Sequence, residues 1–550
     1  MHNRHCTRTR SRAAATGTAI STACLILSST GFAQEPIIGP QIRIDVNGGV
    51  EAANETTISS IHMNPNEVVA GWNDWRESTG FSEIIRMGVA VSNDGGQTWE
   101  DFLLRAPSGH QSTVEGDPMT CYDNRTGTLW AGAMSWTGSG GVYVARKRPG
   151  ENTFDDPVMT YVYGGIDKGW MAAGVDPFDP NATRVYVTYN LGNQYSTDMG
   201  QTWTNPRSLG SGIGFLPRVG PNGELYVAYW DYGSGVMLAR SFDGGQSFEP
   251  AVRIATRMDT WSTQDGSRFP GSFRVPPLNS LAVDPNNGTV YSVYFDTTDW
   301  SGGYRNVDLY FSKSTDQGAN WTTPRVINSD SNPAGDQFFP WIEVDERGWI
   351  HMVFYDTRHT VQADNAPHGM FDAYYALSTD GGDTWREYRL TPNSFDSYYD
   401  GLDRGSSQFL GDYLGLAVGG NKVYPCYLST QNGDSDTFSH VITLPVLEMM
   451  KPIPGVSGQD NTFEVHNATP GEAVHFVYGL RQGSVNVPGC SGLTVSVRNP
   501  TIMGSAVADA SGIASLGLFV PGNAGGRTIY LQGVERGTCQ VSNLLPFVFE

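Results

Sequence analysis

The sequence predicts an all-β chain in which short antiparallel strands repeat as similar sheets, and three observations predict it. Glycine and proline number 66 and 31 of 550 residues while only 17% of residues are charged, a balance that suits strands joined by tight turns better than amphipathic helices. One turn pattern recurs five times along the chain. Beside it, an apolar strand ending in an aromatic and then a short polar residue recurs as well. With 39% hydrophobic residues the chain can bury large cores, which excludes the disordered and fibrous classes.

The first element is a leader. Residues 1–33 hold Arg4, Arg8, Arg10 and Arg12, then an apolar stretch, then Gly31-Phe32-Ala33, the order of a secretory signal peptide. Cys24 lies inside the apolar run, and Ser21 stands where a lipoprotein signal usually has Leu. A soluble exported product, extracellular or periplasmic, is therefore expected. No later segment reaches the roughly 18 apolar residues that cross a bilayer. The formal net charge of −21 opposes nucleic acid, whose binding depends on Lys and Arg neutralising phosphates. Beyond the leader, Cys490 and Cys539 read as a disulfide, and Cys121 and Cys426 as buried thiols.

Residues 34–447 carry the repeats. The turn pattern is Ser-x-Asp-x-Gly-x-x-aromatic, as in Ser92 to Trp99, Ser196 to Trp203, Ser241 to Phe248, Ser314 to Trp321 and Ser378 to Trp385. Its Asp (Asp94, Asp198, Asp243, Asp316 and Asp380) accepts hydrogen bonds from turn amides, its Gly takes a positive φ, and its aromatic plugs back into the sheet. The strand pattern ends at Asp74, Ser135, Asn190, Asp231, Asp296, Asp356 and Ser429, which counts seven units. Repeats of this size form radial or linear arrays. The run Arg146 to Phe154 stands where a sixth box belongs, as a decayed copy. The last unit lacks a fourth strand, and Gln41-Ile42-Arg43-Ile44-Asp45 resembles the strand that follows each box, so the N-terminus is predicted to close the ring. The expected architecture is a seven-bladed Asp-box β-propeller, with six blades as the alternative count. After Pro452-Ile453-Pro454, residues 455–550 alternate β-rich runs with turns, as a small Ig-like or fibronectin-like β-sandwich does.

The boxes resemble those of the sialidase-like (BNR-repeat) β-propellers. That resemblance implies that each box closes the turn between a blade's third and fourth strands, away from the active site. It further implies glycan chemistry, with three arginines on a substrate carboxylate, a Tyr paired with Glu, and an Asp acid. The early Arg-Ile-Pro motif of sialidases has only Arg43-Ile44-Asp45 as its counterpart, without the Pro. A sialidase-like glycoside hydrolase acting on extracellular glycans is the first expectation. A non-catalytic carbohydrate- or protein-binding propeller with a surface-docking sandwich is the second, and a polysaccharide lyase the third.

Propeller geometry sorts the acids, because second-strand ends and first-strand starts share one mouth. Glu115, Asp167, Asp336 and Asp412 precede first strands and Asp356 ends a second strand, so these five are the candidate catalytic carboxylates, able to serve as paired acid and base. Arg218, Arg274, Arg358, Tyr413 and Trp341 are candidate substrate contacts. Trp75, Trp136, Trp170, Trp261 and Trp300 also fall near loops or strand ends, where a ring can stack on sugar or pack between blades. No cofactor is required. The carboxylate ring could alternatively take Ca2+, which binds six to eight oxygens. A monomer is expected.

Overall fold

The computed structural model describes residues 35–550 apart from 50, 80–82, 139, 162–163, 258–270, 272, 302–303, 331–334, 361–365, 403–407 and 491–492. The leader with Cys24, Trp261 and the side chain of Trp300 lie outside the described residues. The described chain is all-β, with two single-turn 3-10 segments, and no helix in it is long and apolar enough to cross a membrane.

Seven antiparallel sheets follow one another between residues 37 and 443. Their first strands are Ala53–Ile61, Met119–Asp123, Trp170–Asp176, Ile213–Val219, Ser280–Val283, Gln337–Val344 and Gly415–Gly419. Each lies beside the next, and the seventh lies beside the first. The first strands thus close a cycle around an axis, and the later strands of each sheet run outward. Ile42–Arg43 supplies the outer strand of the seventh sheet, pairing Ile42 with Ser439 and Arg43 with Phe438. The predicted closing strand is therefore in place, and the two ends of the array are hydrogen-bonded together.

Apolar side chains alternate toward neighbouring sheets and fill the space between them. Trp72, Trp130, Tyr186, Tyr226, Tyr355, Tyr375 and Tyr427 are fully buried there. Burying such rings removes roughly 150–250 Å² each from water, so inter-sheet packing carries most of the favourable energy.

Four of the boxes sit between third and fourth strands, and that of Asp198 follows the third strand of a three-stranded sheet. In the first, Ser92 Oγ (2.8 Å) and the amides of Gln97 and Thr98 (both 3.0 Å) donate to Asp94 Oδ1, and Trp99 Nε1 donates to Gly96 O at 3.1 Å. Gly96 has φ +80°, a conformation that glycine adopts without penalty. Asp198, Asp243, Asp316 and Asp380 accept from a turn amide in the same way. The second sheet lacks a box of its own. There Glu67 of the first sheet reaches across, its Oε2 2.5 Å from the buried Lys147 Nζ and its Oε1 accepting from Gly150 N at 3.1 Å. A carboxylate borrowed from the neighbour thus does the work of the missing Asp.

Beyond residue 447 a second core gathers Phe463, Val465, Val474, Phe476, Leu531 and Phe549. It lies between a sheet containing Gln459–His466 and Ala514–Val520 and another containing Ala473–Gly479, Thr501–Val507 and Thr528–Glu535. Cys490 and Cys539 form a disulfide, and Cys121 and Cys426 are buried free thiols.

Candidate functional site

At the end of the axis away from the boxes, the starts of the first strands share an irregularity. Pairing slips between Asn54 and Thr57, between Ile213 and Leu216 and between Phe338 and Trp341. At the matching positions Glu55, Asp117, Lys168 and Phe339 have φ of +54°, +53°, +51° and +52°, and Gly214 and Gly411 have +72° and +85°. Non-glycine residues rarely adopt this conformation. Bulges of this kind re-aim side chains, and strained backbone concentrates at functional sites. Here the turned side chains meet.

Lys168 is the centre of that meeting. Its Nζ lies 2.5 Å from Asp412, 3.1 Å from Glu55 and 3.5 Å from Asp117, and its backbone amide donates to Asp117 Oδ2 at 2.8 Å. Arg274 donates to both oxygens of Asp412, at 2.7 and 2.5 Å, and lies over the Phe409 ring. Asn73 Nδ2 donates to Glu55 Oε2 at 2.6 Å while its Oδ1 accepts from Asp117 N at 3.0 Å. Three carboxyl groups from three sheets therefore converge on one ammonium. Tyr413 packs beneath, its ring 5.8 Å from Lys168 Nζ and 5.3 Å from Trp170.

The charges divide unequally. Burial pushes Glu55 well above the usual carboxylate range, with Asp412 and Asp117 adding to the rise and Lys168 opposing it. Burial would raise Asp412 too, but Lys168 and Arg274 hold it at about 2. Asp167, on the open side, is raised to about 6 by burial of its carboxyl group and by Asp117, against the pull of Lys168. Asp412 is thus ionised at neutral pH, Asp167 exchanges protons near pH 6, and Glu55 is displaced toward its protonated form.

Asp167 lies between two exposed aromatics. Trp136 follows the second strand of the second sheet and is 43% exposed, and Tyr232 follows that of the fourth and is 54% exposed. Trp136 Nε1 donates to Ile166 O at 3.2 Å, and the Tyr232 hydroxyl is raised by partial burial and then by the charge of Asp167.

Of the five candidate carboxylates, the structure brings Asp167 and Asp412 into this cluster. Glu115 instead holds the rim: its Oε2 accepts from the amides of Trp136 and Thr137. Asp336 Oδ1 accepts from Val307 N at 3.1 Å. Asp356 is paired with Arg358 at 2.6 Å, and Arg358 with Glu387 at 2.8 Å. Among the candidate contacts, Arg274 and Tyr413 belong to the cluster. Arg218 and Trp341 lie further along the axis, where Arg218 pairs with Glu343 at 2.7 Å beside Trp341 in a cavity of about 290 Å³. Trp75, Trp170 and Trp341 are buried packing residues. Among the described residues no group of three or more His, Cys, Asp or Glu side chains is arranged to hold a metal ion, and the centre of the acid cluster is filled by Lys168 Nζ.

Glu55 and Lys168 were not among the sequence candidates. A register comparison carries the signal: Asn54-Glu55, Gly116-Asp117 and Asp167-Lys168 each stand just before or at the opening of a first strand.

These features define a repeat protein of antiparallel sheets closed by Asp boxes, with an ionisable cluster at the opposite mouth. The chain carries the BNR/Asp-box repeat, matched by that family's model at residues 194–205. It is 30% identical over 230 residues to a probable oligoxyloglucan-reducing end-specific xyloglucanase of Neosartorya fischeri, covering 39% of this chain and 26% of the relative. It is 27% identical over 289 residues to a xyloglucanase of Acetivibrio thermocellus, covering 48% and 32% respectively. The chain thus spans about a quarter to a third of these relatives. Among solved structures, an α-L-arabinofuranosidase of Fusarium graminearum is matched with TM-score 0.40 at 12% identity, over 75% of this chain and 98% of that one.

Proposed function

We propose that the protein is an exported, seven-bladed Asp-box β-propeller (34–447) with a C-terminal β-sandwich (455–550), and that it acts as a glycoside hydrolase on extracellular glycans at the mouth opposite the boxes. The closed cycle of first strands supports the blade count, and the Cys490–Cys539 disulfide supports export. The observation that carries the enzymatic reading is Asp167, an exposed residue at the mouth whose carboxyl group, packed against Asp117, is raised to about 6. A general acid works best with a pKa near the working pH, and a glycosidase needs one such acid beside a second carboxylate. In this reading Asp167 protonates the leaving oxygen. Asp117, held by the Lys168 amide and hydrogen-bonded to the Asp167 carboxyl group, helps to raise that acid.

The xyloglucanase names of the relatives make plant-type polysaccharides the first substrates to try. Reducing ends released from a panel of soluble glycans test the reading. Turnover that falls at least 100-fold in Asp167→Asn supports it. No turnover on any glycan, or full activity in the variant, rejects it. The second reading, a non-catalytic glycan-binding propeller, is favoured by one observation: Asp412 is already engaged by both Arg274 and Lys168.

A further inference from the structure

The geometry points to a subsite for neutral saccharides between Trp136 and Tyr232, an aromatic wall on either side of Asp167, and this rests on the glycan-directed reading above.

The placement of Trp136 is over-determined for a half-exposed ring. Glu115 accepts from its backbone amide, and its indole N–H is fixed on Ile166 O at 3.2 Å. Gly116 is packed so closely that a Cβ there would lie 2.9 Å from the Trp136 ring, 2.8 Å from Asn73 Oδ1 and 2.7 Å from Ile85 Cδ1. A scattered surface aromatic needs no explanation. One held by a carboxylate, a carbonyl and a side-chain-free neighbour, facing outward at the entrance to an acid cluster, is a prepared platform. Tyr232 is braced similarly, edge-on to the buried Trp230 at 4.8 Å. Aromatic faces present apolar area at low entropic cost while leaving a polar edge free, which matches the C–H faces and hydroxyl edges of a sugar ring.

The charge selects the class of sugar. The two cations of the cluster, Lys168 and Arg274, are both spent on Asp412 and Glu55. An anionic sugar placed between Trp136 and Tyr232 would meet Asp167 and Asp117 with no free cation at hand among the described residues, and like charges in close juxtaposition are costly. The chain's net charge of −21 adds to the repulsion at long range. Sialic acids and uronates are therefore disfavoured, and neutral glycans are selected.

Affinity gel electrophoresis of the full chain tests this, with mixed-linkage β-glucan, xyloglucan and linear arabinan as neutral probes and polygalacturonate as the anionic one. At least one neutral probe should retard the protein, Trp136→Ala and Tyr232→Ala should each weaken that binding about tenfold or more, and polygalacturonate should not retard it. Phe178→Ala is the control: Phe178 is 62% exposed in a turn at the box end, and its loss should change nothing. Binding equal in all variants, preference for polygalacturonate, or no retardation by any neutral probe overturns the proposal. Running Asp167→Asn in parallel separates the two readings. Binding retained with turnover lost supports both. Binding that depends on Trp136 with turnover indifferent to Asp167 keeps the subsite and removes the acid.

Discussion

Lys168→Met removes one ammonium and leaves three carboxyl groups facing each other in a buried space. Breaking a buried ion pair by deleting one partner costs roughly 3–5 kcal/mol, and here one nitrogen serves Asp412, Glu55 and Asp117. The cost depends on pH, and its sign follows from the direction of each shift. In the native protein Asp412 is held at about 2, below its unfolded value of about 3.9. It therefore contributes stability that is present above pH 4 and is lost as pH falls toward 2. Glu55 and Asp167 are raised, so their contribution is full below pH 4 and declines as pH rises. Without Lys168 the largest lowering influence on Asp412 is gone and only Arg274 still holds it down, while Glu55 loses the ammonium that opposed its rise. The variant should melt well below wild type at pH 7, by roughly 5–10 °C for a deficit of that size in a large unit. The gap should shrink by half or more at pH 4, where the carboxyl groups can be neutral. Thermal melts at the two pH values measure it. An equal gap at both, or no gap at pH 7, refutes the assignment of Lys168 as the cluster's central counter-charge.

Three other outcomes follow from the same structure. In Lys168→Ala the vacated position is ringed by carboxylate oxygens, so millimolar Ca2+ should raise the variant's melting temperature and leave wild type unmoved. Glu67→Gln should destabilise by about 3 kcal/mol or more, because Lys147 is then left charged and fully buried, and urea melts will show it. Cys490→Ser opens a cross-link spanning 49 residues, for which loop entropy predicts a loss of about 4 kcal/mol. Calorimetry should show that loss in a transition separate from that of residues 34–447.

Much of the fold was legible because its determinants are local. The box announces itself through the chemistry of one turn, Asp for the amides and Gly for the positive φ, and five copies give the repeat. The closing strand was legible because Ile42 and Arg43 imitate the strand after each box while the last unit lacks one. The second sheet's turn was only half legible: Arg146 to Phe154 marks the lost box, but the rescue by Glu67 comes from a residue 80 positions away from Lys147. The site divides in the same way. Asp167 and Asp412 were found because they stand just before first strands. Glu55 was missed because Asn54-Glu55-Thr56-Thr57 reads as ordinary polar strand, and nothing in a non-glycine residue signals that the backbone will turn left-handed beneath it. Asp336 and Asp356 occupy equivalent stations, yet Val307 N and Arg358 engage them locally. Sequence position chooses the end of the axis, whereas the partner decides the role.

The central claim is that Asp167 is a working acid at this mouth. The pH dependence of kcat/KM on whichever neutral glycan is turned over tests it most directly. An alkaline limb with a midpoint near pH 6 is expected, matching the carboxyl group held at about 6, with loss of that limb along with most of the rate in Asp167→Asn. A limb that persists unchanged in the variant, or a rate that stays flat from pH 5 to pH 8, contradicts it.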